Sequence, residues 1–190
     1  MTHNETVDRL AVLRKEMIGL GQSIGVPNVL EKCKLDELLT GQKMGHRVYT
    51  ESTGEKKGVD AEDDFGNDYE YKRTQLKYKE EDERFLAAII DGTKTMALSM
   101  TYNNGSKREN VESYRYINHI HSVFSSVGEL LAIVQVDTDH VVDSLMKRIM
   151  REENGQKYSS TNGNSVPVHY ENGGVRNGEG KVVYINDTRE

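Results

Sequence analysis

The sequence predicts a mixed α/β fold in which helices flank a mixed β-sheet. Three observations carry that prediction. Apolar residues recur at three- and four-residue steps near the N-terminus and again after residue 137, the spacing of one helical face. Between them, Val59–Glu62 and Asp68–Thr74 read as two short strands around the turn residues Asp64-Phe65-Gly66-Asn67. Leu130–Val136 is nearly all apolar, as expected of a strand inside a sheet and covered on both faces.

With 190 residues, the chain is long enough for one domain with a real core. No apolar run reaches the length needed to span a bilayer. The first residues lack the basic flank and apolar stretch of a secretory signal. The single cysteine, Cys33, excludes an internal disulfide and a multi-cysteine zinc site. A cytoplasmic setting is therefore expected. The formal charge of −6 argues against a protein that coats nucleic acid nonspecifically. It leaves room for a local basic surface.

Taken in order, Thr2-x-x-Glu5 has capping-box spacing. Val7, Leu10, Leu13, Met17 and Leu20 then form the apolar stripe of a helix over about 4–20. A second helix is expected from Asn28 to Gly41, burying Val29, Leu30, Cys33, Leu38 and Leu39. Met44–Tyr49 reads as a turn entering a strand. Arg84–Leu98 is apolar but broken by Asp91-Gly92, and fits either a strand pair or a helix. Ser99–Gly105 reads as a strand end and turn, with Ser106 as the cap of a helix to about Ile117. His119–Phe124 and Leu130–Val136 are strands. Asp137 or Thr138 caps a closing helix whose stripe is Val141, Val142, Leu145, Ile149 and Met150. From residue 153 onward Gly, Asn and Ser dominate. Val166–Tyr170 and Lys181–Ile185 read as short strands in a loop-rich extension to a core spanning 1–152.

The hairpin holds the chemistry. Alternation puts Glu70 and Lys72 on one face of the second strand, and Tyr69, Tyr71 and Arg73 on the other. Asp60 on the first strand comes close to Glu70 across the pair. Two carboxylates beside an ammonium suit a hard cation such as Mg²⁺. Such a cation acidifies a bound water and stabilises a charged transition state. The same residues also fit a merely charged, solvated hairpin.

Asp60, followed by Glu70-Tyr71-Lys72, resembles the signature of the PD-(D/E)XK nucleases, the superfamily of many restriction endonucleases. Val59 stands where that signature has proline. Met44-Gly45-His46 before the hairpin, Ser99–Asn103 after it and the strands from His119 to Val136 extend the resemblance over about residues 37–150, with Lys77–Leu98 as an insertion. The resemblance implies a restriction-endonuclease-like sheet and a Mg²⁺-dependent, sequence-specific endonuclease acting as a homodimer on double-stranded DNA. It implies that Asp60 and Glu70 hold the metal, with the Ala61 or Tyr71 carbonyl as a further ligand, and that Lys72 sits beside the attacking water. It also implies that Glu37, on the second helix, is an auxiliary catalytic group.

Arg73, Gln75 and Lys77 along the strand, and Tyr102 and Asn103 beyond it, are then expected to meet DNA. In the extension, Lys157, Asn162, Asn164, His169 and Arg176 are expected to read bases and phosphates. The rival expectation is a noncatalytic module, binding nucleic acid or protein on the same scaffold. His119-x-His121 places two imidazoles on one strand face, and the expected reading is ordinary strand histidines rather than metal ligands.

Overall fold

The computed structural model describes residues 3–26, 29–30, 33–50, 59–103, 105–155, 164–187 and 189. Helix α1 is His3–Ser23 and α2 is Lys34–Met44. Strands β1 (Arg47–Val48), β2 (Ala61–Glu62) and β3 (Asp68–Gln75) follow. Helix α3 (Lys79–Leu86) runs on into a π-turn, Ala87–Asp91, and β4 is Met96–Thr101. Then come α4 (Arg108–Ser113), a 3-10 turn (Tyr114–Tyr116), β5 (Asn118–Phe124), β6 (Leu130–Val136) and α5 (Thr138–Glu153). Strands β7 (Ser165–Glu171), β8 (Gly174–Val175) and β9 (Gly180–Ile185) close the chain.

The fold is mixed α/β, as its patterning predicts. The main sheet has the order β1-β2-β3-β5-β6-β9, and a second sheet has the order β4-β7-β8. Among the described residues, only β3 and β5 pair in parallel, with Glu70 opposite His119 and Lys72 opposite His121; the other pairs are antiparallel.

The alternation of β5 separates two cores. Ile120 and Phe124 pack with Ala61, Tyr71, Leu130 and Ile133 against Leu39 and Met44 of α2. Val123 belongs to the larger core on the other face, with Phe85, Leu86, Met100, Tyr102, Leu131, Val142, Leu145 and Tyr170. Each such fully buried side chain contributes about 1.5–3 kcal/mol. Gly41 lets α2 lie against the hairpin: a Cβ there would stand 2.3 Å from Val48 Cγ2. Gly45, in the left-handed region, ends the helix with its N–H on the Gly41 carbonyl.

Several expectations change. Helix α2 begins at Lys34 rather than Asn28, because Cys33 adopts a left-handed φ of 74°. Cys33 is half-buried and Leu30 is exposed. On the expected stripe of α1, Leu10, Leu13 and Leu20 are 59%, 39% and 68% exposed, while Met17 is half-buried. Thr2 lies outside the described residues. The segment Lys77–Leu98 resolves into α3, its π-turn and the start of β4. Lys107, not Ser106, flanks α4, and neither Lys107 nor Asp137 makes a side-chain cap. Met150 is exposed, so the α5 stripe ends at Ile149.

The largest correction concerns the C-terminal region. β9 pairs with β6 in the main sheet, while Val166, Val168 and Tyr170 of β7 are fully buried in the larger core. Residues 164–187 are therefore part of the domain rather than an appended set of loops. The two strands expected there are present as β7 and β9, and in β7 Val166, Val168 and Tyr170 alternate with partly or fully exposed residues. What the turn-rich composition hid is that they belong to the sheets of the domain.

Both strand histidines are buried and bonded. Tyr170 Oη lies 2.7 Å from His121 Nδ1, and Thr74 Oγ1 lies 2.9 Å from His121 Nε2. Burial pushes His119 down to about 4 and His121 to about 3. Because the unfolded imidazoles take up protons first, this depression stabilises the fold above pH 6.5, and the contribution is lost as pH falls toward 3. Replacing His121 by Leu strands the buried Tyr170 hydroxyl at about 1–3 kcal/mol and frees the half-buried Thr74 hydroxyl at less. Urea unfolding of His121→Leu is expected to show a large loss at pH 7 and a smaller difference from wild type near pH 4. Deletion of residues 164–190 is expected to abolish cooperative unfolding, as followed by near-UV circular dichroism.

Candidate active site

Strand β3 outruns its neighbour. The β2 register ends with Ala61 opposite Tyr69. The Asp60 amide donates to the Tyr69 carbonyl (2.9 Å), and the Asp60 carbonyl accepts the Tyr49 amide (2.8 Å). Beyond that point the Asp60 side chain replaces the ladder: its Oδ2 accepts the Tyr71 N–H at 2.7 Å. In a strand the N–H and C=O of one residue face the same edge, so the Tyr71 carbonyl also turns toward the Asp60 side.

The turn below is pinned by Asp63, whose Oδ1 accepts the Phe65 and Asn67 amides, both at 2.9 Å. The Asn67 side chain above all, with those amides and Tyr69, holds Asp63 down at about 2. Gly66 supplies the positive φ that the turn requires.

A cleft of about 550 Å³ opens at this edge. Asp36, Glu37 and Thr40 of α2 form one wall, Thr101 and Asn103 line another side, and Asp60, Tyr71, Lys72, Arg73 and Gln75 run through it. Of the residues singled out from the sequence, the structure brings Glu37, Asp60, Lys72, Arg73, Gln75 and Asn103 to this cleft. Glu70 joins them electrically: its carboxylate pairs with Lys72 and feels both Asp60 and Glu37. Glu37 Oε2 accepts from Lys34 Nζ at 2.6 Å, and the same ammonium reaches the Tyr49 carbonyl at 3.2 Å.

Three carboxylates and two lysines share this volume. Burial is the largest influence on Asp60, Glu70 and Glu37, and it raises all three pKa values. The Tyr71 amide, Lys72 and Lys34 work against burial at Asp60; Lys72 does so at Glu70, and Lys34 at Glu37. Asp60 further raises Glu70 and Glu37 by like-charge repulsion.

Lys34, Asp36, Thr40 and Ser122 were missed by the sequence reading. Lys34 carried one available signal, since it stands three residues before Glu37 on a helix. Thr40 Oγ1 and Ser122 Oγ, 2.8 Å apart, gave none, because 82 residues separate them.

Other expected DNA contacts lie elsewhere. Tyr102 is fully buried and is corrected from a DNA contact to a support beneath the site. Its ring lies under Lys72, and its hydroxyl is 3.1 Å from His119 Nδ1. Arg73 lines the cleft but pairs with Asp36. Lys77 is exposed beyond it.

Asn164, His169 and Arg176 do not line the cleft. The Asn164 carboxamide accepts from Arg148. His169 Nδ1 lies 2.8 Å from Glu179 Oε1, and Arg176 pairs with Glu171. Lys157 and Asn162 lie outside the described residues.

The donor set is all oxygen: the Asp60, Glu70 and Glu37 carboxylates and the Tyr71 carbonyl. That chemistry fits Mg²⁺. Among the described residues, no three His, Cys, Asp or Glu side chains form a ready-made metal cage. Glu70 and Glu37 instead lean on lysines, so a cation would compete with two ammonium groups. Also among the described residues, no helix is long and apolar enough to cross a membrane. Comparison with protein-family models and with curated proteins found no match.

A raised folded-state pKa means that folding takes up protons at Asp60 and Glu70. Their ionisation costs stability as pH rises above their ordinary values of 3.8 and 4.5. Asp60→Asn keeps an oxygen for the Tyr71 amide and removes a buried charge. Its Tm without added metal is expected to exceed wild type at pH 7, by roughly 2–4 °C per kcal/mol gained. The two curves should converge near pH 3, and calorimetry at both pH values checks this.

Proposed function

We propose that this chain is a Mg²⁺-dependent, sequence-specific endonuclease of restriction type, hydrolysing phosphodiester bonds of double-stranded DNA as a homodimer. The observation that carries the reading is the meeting of Asp60, Glu70 and Lys72 with Glu37, brought from a separate helix, at a sheet edge beside an open cleft. The resemblance to the PD-(D/E)XK nucleases assigned roles to those four residues, and their convergence supports it. The single cysteine supports a cytoplasmic setting.

Asp60, Glu70 and the Tyr71 carbonyl would hold the cation, with Glu37 as an auxiliary group. Bound there, Mg²⁺ supplies charge stabilisation and a more acidic water. The chain's own contribution is positioning. Lys72 orients the attacking water and neutralises charge that builds on the phosphoryl oxygens. Water adds to phosphorus in line, the bond to the leaving oxygen breaks, and that oxygen takes up a proton.

Arg73 and Lys77 meet backbone phosphates, while Gln75 and Asn103 offer amide groups to the duplex. Cutting both strands calls for two such centres, which a two-fold dimer supplies.

Incubation with plasmid and Mg²⁺ is expected to give discrete fragments that EDTA suppresses. Asp60→Ala should abolish cleavage while the protein stays folded. Lys72→Ala should lower turnover about 10²–10³-fold. Arg73→Ala should weaken DNA binding and flatten the salt dependence of log K by about one unit. Metal-independent DNA binding with no cleavage would replace the nuclease reading with the noncatalytic module.

A further inference from the structure

Lys72 carries a long side chain with many rotamers, and a group that must orient one water cannot wander. The Glu70 carboxylate holds it from one direction. The Tyr102 ring holds it from another, with the ammonium nitrogen 5.1 Å from the ring centroid. That ring is itself fixed. Tyr102 is fully buried, and its hydroxyl meets His119 Nδ1 at 3.1 Å.

His119 Nε2 lies 3.1 Å from the Tyr114 carbonyl. A carbonyl only accepts, so the His119 proton sits on Nε2 and Nδ1 accepts the Tyr102 O–H. The Tyr114 ring closes the group, 5.1 Å from Tyr102 and edge-on to His119 at 5.8 Å. Burial keeps the imidazole neutral at physiological pH, which preserves this donor order and adds no second cation beside Lys72.

We propose that Tyr102 is the positioning residue of Lys72: its ring face holds the ammonium by a cation–π contact, and His119, anchored on the Tyr114 carbonyl, holds the ring. This inference rests on the nuclease reading for its catalytic consequence, but not for its geometry. Three features support it. Tyr102 is buried and the Lys72 side chain keeps only 18% exposure, so the contact is largely shielded from water, where cation–π attraction is stronger. The tyrosine hydroxyl is committed to a histidine rather than to solvent. The stack also joins β4, the 3-10 turn and β5 beneath the one strand that carries Glu70 and Lys72.

The test compares Tyr102→Phe, which keeps the ring, with Tyr102→Leu, which removes it. In wild type and Tyr102→Phe, ring current should move the Lys72 Hε protons upfield in ¹H–¹³C spectra. In Tyr102→Leu they should return to the ordinary lysine position, while those of Lys34 stay in place. Under saturating Mg²⁺ and DNA, Tyr102→Leu should lower kcat about 10- to 100-fold with KM little changed. Tyr102→Phe should lose only a few-fold, because the ring remains without its anchor.

Calorimetry separates these effects from unfolding. If Tyr102→Leu does not fold, Tyr102→Met, closer in volume, takes its place. An unshifted Lys72 in wild type overturns the inference. So does a ring-deleted variant with full kcat, or a Tyr102→Phe protein as impaired as Tyr102→Leu. A shifted Lys72 in a wild-type protein that cleaves nothing supports the packing and overturns the nuclease reading instead.

Discussion

The site depends on one hydrogen bond, from the Tyr71 amide to the Asp60 carboxylate. β2 is too short to satisfy β3 along its length, and a strand edge left bare inside a domain carries unpaired donors and acceptors. Asp60 ends the ladder by substituting a side chain for a backbone carbonyl. One residue thereby satisfies the strand, closes the hairpin and leaves a carboxylate at the mouth of the cleft. With the ladder ended there, the wall of α2 and the loop after β4 meet the same edge, and the cleft has room to exist.

The electrostatics follow from that placement. Three half-buried carboxylates within mutual influence are costly unless something positive lies among them. Lys34 and Lys72 supply that charge from the two elements that also supply Glu37 and Glu70. Each lysine is a local partner, three or two residues from its glutamate, so neutralisation needs no distant contact. Asp60 is held by the Tyr71 amide and feels both Lys72 and Lys34. The cluster is therefore held in a compensated but polarised state. A small hard cation would find oxygen donors there that are already partly desolvated.

Beneath Glu70 and Lys72, on the same face of β3 and β5, the structure is organised by neutral polar pairs rather than charge. His119 and His121 are both wholly buried, and each is bonded on both ring nitrogens. They tie Tyr102, just past β4, and Tyr170 of β7 to the main sheet, so the small sheet is fixed by hydroxyl–imidazole bonds as well as by apolar packing. Since both imidazoles resist protonation, this layer stays uncharged beneath a charged site. The same layer integrates β7, which is why the C-terminal third belongs to the domain.

The sequence by itself determined the local facts: the strand identity of Leu130–Val136, the turn at Asp64–Asn67, the helical stripe of α5 through Ile149, and the grouping of Glu70 with Lys72. These rest on period and on neighbours a few residues apart, where backbone geometry dictates who meets whom. The convergence of Glu37 with Asp60 was an expectation that only the packing of α2 on the hairpin through Gly41 could satisfy. Tertiary structure alone decided the rest. Tyr102 is expected from the sequence to meet DNA and is buried in fact, packed against Tyr114 and His119. Asn164, His169 and Arg176 read as free recognition groups until their partners Arg148, Glu179 and Glu171 are brought beside them. Val166–Tyr170 and Lys181–Ile185 already read as strands, but glycine and asparagine turns between them made residues 164–187 look like an appendage. They join the domain because β4 and β6 offer open edges, and backbone groups buried there must be paired.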